Sequence, residues 1–498
     1  MADEAHVTDV LYPHDAGEHA LLFVSKETNP ICYLKPELFL RHVGVLPAIR
    51  WDDALKCPGC FIDHEMYRFK IFPDALADPG HLSPPLDFKK GERKNSQNPT
   101  IRSIMKIMKK VIVKNSTTGK ITSGFPWIYR NEILAVEESA EPGELVRLHA
   151  RGGAFLGIGY VNPLSQITVR VLCTEDRTID TEFLTGKISK ALQKRHDLRE
   201  VTTAYRLIHA EADELPGLVV DRYADFLAVQ INTAGMERLR PLILSCLVET
   251  VQPAGIYEKS EEKFRSKEGL ATEEKVLHGR VPESILIVEY GARFIVRLKE
   301  SQKTGFYLDQ RRNRQGVASY VRAGFDVLDL FSNTGGFGIH AALRGARSVR
   351  LVDISAAALK QAEENVLLNQ LKAVETARTD AFHYIRETYE KGRFFDLIIV
   401  DPPSFAQTRR TRESAVRAFR QLISGCLRLL RGGGILAVFS CSQAVSLEDL
   451  KEASLKASGD AGSGLDILDY LLQDIDHPVR LHIPNSLYLK GLLLRKEV

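Results

Sequence analysis

The sequence predicts a multidomain α/β protein whose C-terminal part carries a mainly parallel sheet, preceded by a small β-barrel and a central α/β domain. Three observations lead there. From Phe325 onward, apolar strand-like runs alternate with amphipathic helical stretches, the pattern of a parallel sheet with helices on its faces. Between Val111 and Val171, short β-type runs are separated at regular intervals by turn residues, as in a small barrel. The 498 residues also exceed what one ordinary core supports.

Residues 1–107 stand apart. Up to position 104 they hold ten of the 21 prolines and six of the 14 histidines, and they include a polar run from Lys89 to Pro99. Such a segment buries too little apolar surface to offset its ordering entropy, so a poorly structured extension is expected. Cys57-Pro58-Gly59-Cys60 resembles half of a zinc site, but no second pair follows at ligand spacing, and no metal is expected. The barrel is assigned to 108–180, with strands around Val111, Leu145, Leu156 and Ile167. A helical run near 181–198 opens the central region, 181–300. In 301–498 the strands are 327–331, 349–353, 397–401 and 434–439, with helices at 356–369 and 414–430.

The bulk chemistry excludes more than it assigns. A net charge of +3 does not announce a nucleic-acid binder, so any basic surface must be local. The seven cysteines are scattered without framework spacing, which favours a reducing compartment. With no secretory leader and no uncharged apolar run long enough for a membrane span, a cytoplasmic protein is expected.

The chemistry gathers at the strand ends. Asp329-Leu330-Phe331-Ser332-Asn333-Thr334-Gly335-Gly336 leaves the first strand and runs into a helix. Its glycines permit a tight turn and close backbone approach to a ligand, although the spacing is not that of a GxGxxG pyrophosphate loop. Asp353 ends the next strand, where a carboxylate can accept both hydroxyls of a ribose, and Asp380 offers a third acid suited to an adenine amino group. Each aspartate alone is more often a cap or turn residue; together, in this order, they favour an adenosyl cofactor. The series resembles the class I S-adenosylmethionine methyltransferases, and on that resemblance Ser332 to Gly335 flank the methionine part, Asp353 the ribose and Asp380 the adenine.

Asp401-Pro402-Pro403-Ser404-Phe405 closes the next strand. Similar motifs in nucleic-acid methyltransferases hold a target base by its polar edge and stack it on the aromatic. Cytosine C5 is too weak a nucleophile to take a methyl group unaided; thiolate attack at C6 activates it, so a cysteine must sit at the pocket. Cys441 in Ser440-Cys441-Ser442 ends the following strand. A buried structural thiol is the alternative, since free cysteine is among the most buried residue types.

These motifs, with Gln302-Lys303-Thr304-Gly305-Phe306-Tyr307-Leu308-Asp309-Gln310-Arg311, Leu215-Pro216-Gly217, Asp476-His477-Pro478 and Tyr488-Leu489-Lys490-Gly491, resemble the bacterial large-subunit ribosomal RNA cytosine-C5 methyltransferases from about Met108 onward. The resemblance implies a PUA RNA-binding domain, with Gly124-Phe125-Pro126-Trp127 in place, a central α/β domain and a catalytic domain. It implies S-adenosylmethionine as cofactor, ribosomal RNA as partner, and Cys441 and Asp401 as the catalytic pair; a homodimer stays open. Arg409, Arg410 and Arg412 are candidates for phosphate contacts, as is the Arg311-Arg312-Asn313-Arg314 run; solvated surface is the alternative for both. Two departures stand out. Ser404 occupies a position where many other RNA cytosine-C5 enzymes carry a second cysteine that helps release the adduct. Residues 1–104 have no counterpart, which suggests a lineage-specific extension or a true start at Met105 or Met108. The rival functions are methylation of a guanine ring nitrogen or exocyclic amine, which needs no thiol, and RNA binding without catalysis.

Overall fold

The computed structural model describes residues 21–24, 31–34, 60–63, 68–71, 108–137, 139–300, 304–406 and 409–498. The chain divides into two units, Met1–Arg102 and Ser103–Val498. In the first, Leu21–Val24 pairs antiparallel with Ile31–Leu34, and Cys60–Asp63 with Arg68–Ile71. The expected poorly structured character of 1–107 otherwise lies outside the described residues, as does Cys57. Among the described residues no cluster of metal-ligating side chains occurs, and no helix is long and apolar enough to cross a membrane.

The second unit begins with a six-stranded sheet. Its strands are β1 (Lys109–Val113), β2 (Trp127–Tyr129), β3 (Ile133–Val136), β4 (Glu144–Ala150), β5 (Phe155–Val161) and β6 (Ile167–Cys173), in the order β2-β6-β5-β4-β1-β3. Alternation decides which side chains go inside: Val111 and Val113 of β1 are fully buried, as are Val146 and Leu148 of β4. They meet Ile128 of β2, Val169 of β6 and Ile121 of helix α1 (Asn115–Thr122), so the sheet curls around one core.

A five-stranded sheet follows: β7 (Ala204–His209), β8 (Leu218–Tyr223), β9 (Phe226–Ile231), β10 (Gly255–Ser260) and β11 (Glu273–Gly279), in sequence order. Helix α2 (Thr181–Lys194) starts where the Asp180 side chain accepts from the Phe183 N–H at 3.0 Å, and it packs on α3 (Arg240–Val251). This core also takes in Ile158, Tyr160 and Leu172 of the first sheet. At that junction only glycine fits at position 235, because a Cβ there would lie 2.0 Å from the Tyr160 ring. Hairpin β12 (Ile285–Glu289) and β13 (Ala292–Val296) and helix α4 (Arg311–Ala318) lead to the last sheet.

That sheet holds β14 (Asp326–Leu330), β15 (Ser348–Asp353), β16 (Val374–Arg378), β17 (Phe395–Val400), β18 (Leu430–Ser440), β19 (Leu465–Leu472) and β20 (Lys490–Lys496), in the order β16-β15-β14-β17-β18-β20-β19. The first five are parallel; β20 is antiparallel to both β18 and β19. Both faces are buried. Val327, Leu351, Leu397 and Phe439 face the side of α5 (Gly336–Leu343) and α6 (Ala356–Leu368). Leu328, Val352, Ile398 and Val438 face α7 (Ala381–Glu390), α8 (Arg412–Leu429) and α9 (Leu447–Ala461). Double burial is why the central strands are mostly apolar, with Asp329 and Arg350 among the exceptions. The α/β fold with a mainly parallel C-terminal sheet is the one expected. The sequence reading missed β16, β19 and β20. The first two are edge strands with polar residues among the apolar ones, and the antiparallel β20 has no helix crossover to announce it.

Candidate active site

The strand order reverses direction between β14 and β17, and that opens a crevice beyond their carboxyl ends. The loop leaving β14 is held in an unusual shape: Phe331 and Asn333 have φ of 61° and 47°, and Gly335 has 83°. Two non-glycine residues in the left-handed region within one turn mark a backbone shape imposed by the surroundings. The Ser332 N–H donates to the Val352 carbonyl at 3.0 Å, and the Gly335 N–H to the Ser332 carbonyl at 2.8 Å. The Ser332 hydroxyl is buried and has no hydrogen-bond partner. Asp353 braces the same loop, with Oδ2 accepting from the Asn333 N–H at 2.9 Å and Oδ1 from the Ser355 N–H at 2.8 Å. Each of its oxygens keeps a lone pair.

Asp380 caps α7, accepting from the His383 N–H at 3.1 Å. The Thr379 N–H donates to the Asp353 carbonyl at 3.1 Å, so Asp380 follows directly beside Asp353. Asp329 is placed differently from its neighbours: it is fully buried and Oδ2 accepts from the Gly338 N–H at 2.9 Å, bracing the start of α5. Burial pushes its carboxyl up to about 8; Asp401 and Asp353 add to the shift and the Gly338 N–H opposes it. An acid raised on folding favours the native state while it is protonated, so its contribution fades as pH rises from its ordinary 3.8 through about 8. Asp329→Asn keeps the acceptor and removes the charge. Its melting temperature is expected to fall several degrees less than the wild type's between pH 5 and pH 8.5; parallel curves would refute this assignment.

At the reacting end, Asp401 follows β17 and Cys441 follows the adjacent β18. Their two loops are tied together: the Ser442 and Ser404 hydroxyls both donate to the Ala406 carbonyl, at 2.6 and 2.9 Å. Cys441 is partly exposed, unlike Cys246 and Cys426, which are buried. Sequence reading missed the residues that hold Asp401. The Gln310 amide donates to Asp401 Oδ2 at 3.0 Å, and the Asn313 amide donates to Gln310 Oε1 at 2.6 Å. The only signal was their place in the Gln302–Arg311 motif and its continuation; Gln302 and Lys303 themselves lie outside the described residues. Pro402 is buried, and the Phe405 ring packs 5.1 Å from that of Phe419 on α8. Arg410 is exposed, while Arg412 is engaged with Asp449, its Nε 2.9 Å from Oδ2.

The Arg311–Arg314 run needs correcting, because neither end is available to phosphates. Arg311 is completely buried, with Asp474 and Asp476 at 2.8 and 2.9 Å. Arg314 makes a bidentate pair with buried Glu289 at 2.6 and 2.7 Å, and His340 joins at 3.0 Å. Burial alone would raise Glu289, but Arg314 and His340 outweigh it and hold it down to about 2.

A doubly covered parallel sheet with a strained loop and acids at the ends of successive strands is the arrangement of the S-adenosylmethionine-dependent methyltransferases, though other doubly wound α/β proteins share much of it. In agreement, residues 261–462 match the S-adenosylmethionine-dependent methyltransferase family and residues 111–174 the PUA-like domain. The fold is also that of the crystal structure of SMU.776 complexed with SAH, with a TM-score of 0.68 at 24% identity over 78% of this chain and 100% of that one. The chain is 40% identical to ribosomal RNA large subunit methyltransferase I of Aeromonas salmonicida over 376 residues, 74% of this chain and 95% of the relative. The Aliivibrio fischeri protein of that name is 37% identical, again over 74% and 95%. The chain belongs to the ribosomal RNA large subunit methyltransferase I family, and its cofactor is S-adenosylmethionine.

Proposed function

We propose that this protein methylates C5 of a cytosine in large-subunit ribosomal RNA through a covalent adduct with Cys441. One observation carries the reading: a partly exposed cysteine and an aspartate end neighbouring parallel strands, and their loops are joined through the Ala406 carbonyl. The relatives' names supply the RNA class. The PUA-like part, assigned to 108–180, would grip RNA, with 181–300 between it and the catalytic 301–498.

The β14 loop fits the cofactor. Ser332 brings a buried hydroxyl in need of a partner, Gly335 a left-handed turn without a Cβ, and Asp353 two oxygens with spare lone pairs for the ribose; Asp380 stands beside it for the adenine. Bound there, S-adenosylmethionine supplies an electrophilic methyl carbon. The Cys441 thiolate adds to C6, forming a C–S bond and moving the C5–C6 π electron pair to C5, which would take the methyl carbon as the sulfur–methyl bond breaks and its electron pair returns to the departing thioether. Asp401, with Gln310 fixing one oxygen, hydrogen-bonds the N3/N4 edge. The C5 proton then leaves to a base, the electron pair reforms the C5–C6 double bond, and the C–S bond breaks to return the thiolate. Ser404 stands where a second cysteine would otherwise assist, so water or another base takes that proton. The target base must leave its stack, which favours loops or partly assembled RNA. Pro402 and Phe405 shape the loop that receives it, and Arg409 and Arg410 are proposed to hold flanking phosphates.

RNA carrying 5-fluorocytosine tests this directly. Fluorine at C5 cannot leave as a proton does, so an adduct that survives denaturation is expected with wild-type protein and not with Cys441→Ala. Methylation of the unmodified RNA without any such adduct would instead assign the reaction to a ring nitrogen or exocyclic amine.

A further inference from the structure

Lys490 opens β20 and lies opposite Ser440 in the antiparallel pairing with β18, one residue before Cys441. The strands approach closely there: a Cβ on the next residue, Gly491, would come 2.6 Å from the Phe439 ring. The Lys490 side chain is thereby enclosed, with 5% of its surface exposed. Its ammonium donates to the Ser442 carbonyl at 2.6 Å and the Tyr488 carbonyl at 2.9 Å. These are neutral acceptors, and among the described residues no carboxylate lies within ion-pair distance of it. A buried ammonium without a counter-ion is costly, and lysines are seldom buried unpaired.

The charges on the surrounding elements narrow the choice of counter-ion. Asp449 at the start of α9 is committed to Arg412 and to the Ser446 N–H. Asp401 on β17 is held by Gln310. The Tyr488 phenol donates to Asp309 at 2.6 Å, and burial with that carboxylate keeps it well above the usual phenol range, hence neutral. Burial lowers Lys490 itself, while Cys441 and Asp449 work against that fall.

We propose that Lys490 is a positioning residue that holds Cys441 as a thiolate, the two forming an ammonium–thiolate pair across the ends of β18 and β20. The inference rests on Cys441 being the nucleophile. It explains why a charged group is enclosed where only neutral carbonyls receive it, and how a thiol becomes reactive near neutral pH without an adjacent histidine.

The test is the rate at which iodoacetamide alkylates Cys441, followed by mass spectrometry of its peptide in intact protein across pH 5.5–10. Wild type is expected to inflect below the ordinary thiol value of about 8.5. Lys490→Met is expected to raise the inflection by about one unit or more, with a severalfold slower reaction at pH 7.5, and Lys490→Arg to keep it low. An inflection at or above 8.5 in wild type overturns the proposal even if the methionine variant fails to fold; so does an unchanged inflection in a folded Lys490→Met. No RNA is needed for this measurement. A depressed inflection with no 5-fluorocytosine adduct would therefore sink the cytosine-C5 reading alone, and an adduct with an ordinary inflection would sink only the role of Lys490.

Discussion

Cys441→Ala is expected to reduce methyl transfer by about 10⁴-fold or more while leaving S-adenosylmethionine binding unchanged. The size of the loss follows from the chemistry. Without an adduct at C6, C5 is too weak a nucleophile to take the methyl group, so removing Cys441 removes the reaction path and not merely one contact. The selectivity follows from placement. Ser332 and Asp353 stand at the ends of β14 and β15, on the far side of β17 from Cys441, and the Ser332 N–H and the Asp353 carboxylate bond between those two strand ends. Single-turnover transfer to RNA and calorimetric titration with S-adenosylmethionine separate the two effects. A variant retaining more than about a tenth of the wild-type rate would be incompatible with covalent catalysis at this residue.

Arg311→Met is expected to cost about 3–5 kcal/mol of stability, the usual consequence of deleting one member of a buried ionic group. Arg311 is fully buried, pairs with Asp474 and Asp476 and donates to the Ala204 carbonyl at 2.9 Å. Asp476 also accepts from the Arg206 N–H at 2.8 Å. The network therefore ties α4, strand β7 and the segment before β20. Burial alone would raise Asp476, but His477 and Arg311 hold it well below the usual carboxylate range. Its stabilising contribution is accordingly present at neutral pH and lost on acidification. Denaturant titration at pH 7.5 measures the effect; a loss below about 1 kcal/mol would mean that water reaches the two aspartates. Arg311→Lys should rescue only part of it, because an ammonium cannot span both carboxylates and the carbonyl with the same planar fork.

How much was legible depended on whether the cause was local. The strands at 327, 349, 397 and 434 could be read because helices cover both faces of the sheet and most of their positions are apolar. The placement of Asp353, Asp401 and Cys441 at strand ends could be read because it follows from the strands themselves, whatever the rest of the chain does. Gln310 could not, since its partner Asp401 lies 91 positions away and only the fold brings them together. Arg311 and Arg314 looked like solvent-facing charges for the same reason. Their counter-ions come from β12 and from the loop before β20, and a run of basic residues carries no sign of partners so distant. Asp380 shows the opposite failing: the local rule that aspartates cap helices was satisfied, and cofactor contact has to be argued on top of it.

The insertion of β20 between β18 and β19 has a consequence for biogenesis. This strand is translated after all the others, yet β19 hydrogen-bonds to nothing else in the sheet and β18 has an open edge without it. A nascent chain must therefore shield two unsatisfied strand edges until β20 arrives, the situation that invites off-pathway association. The same segment brings Tyr488 and Lys490 and anchors Asp474 and Asp476 to Arg311. The surroundings of Cys441 are thus incomplete until β20 has joined the sheet.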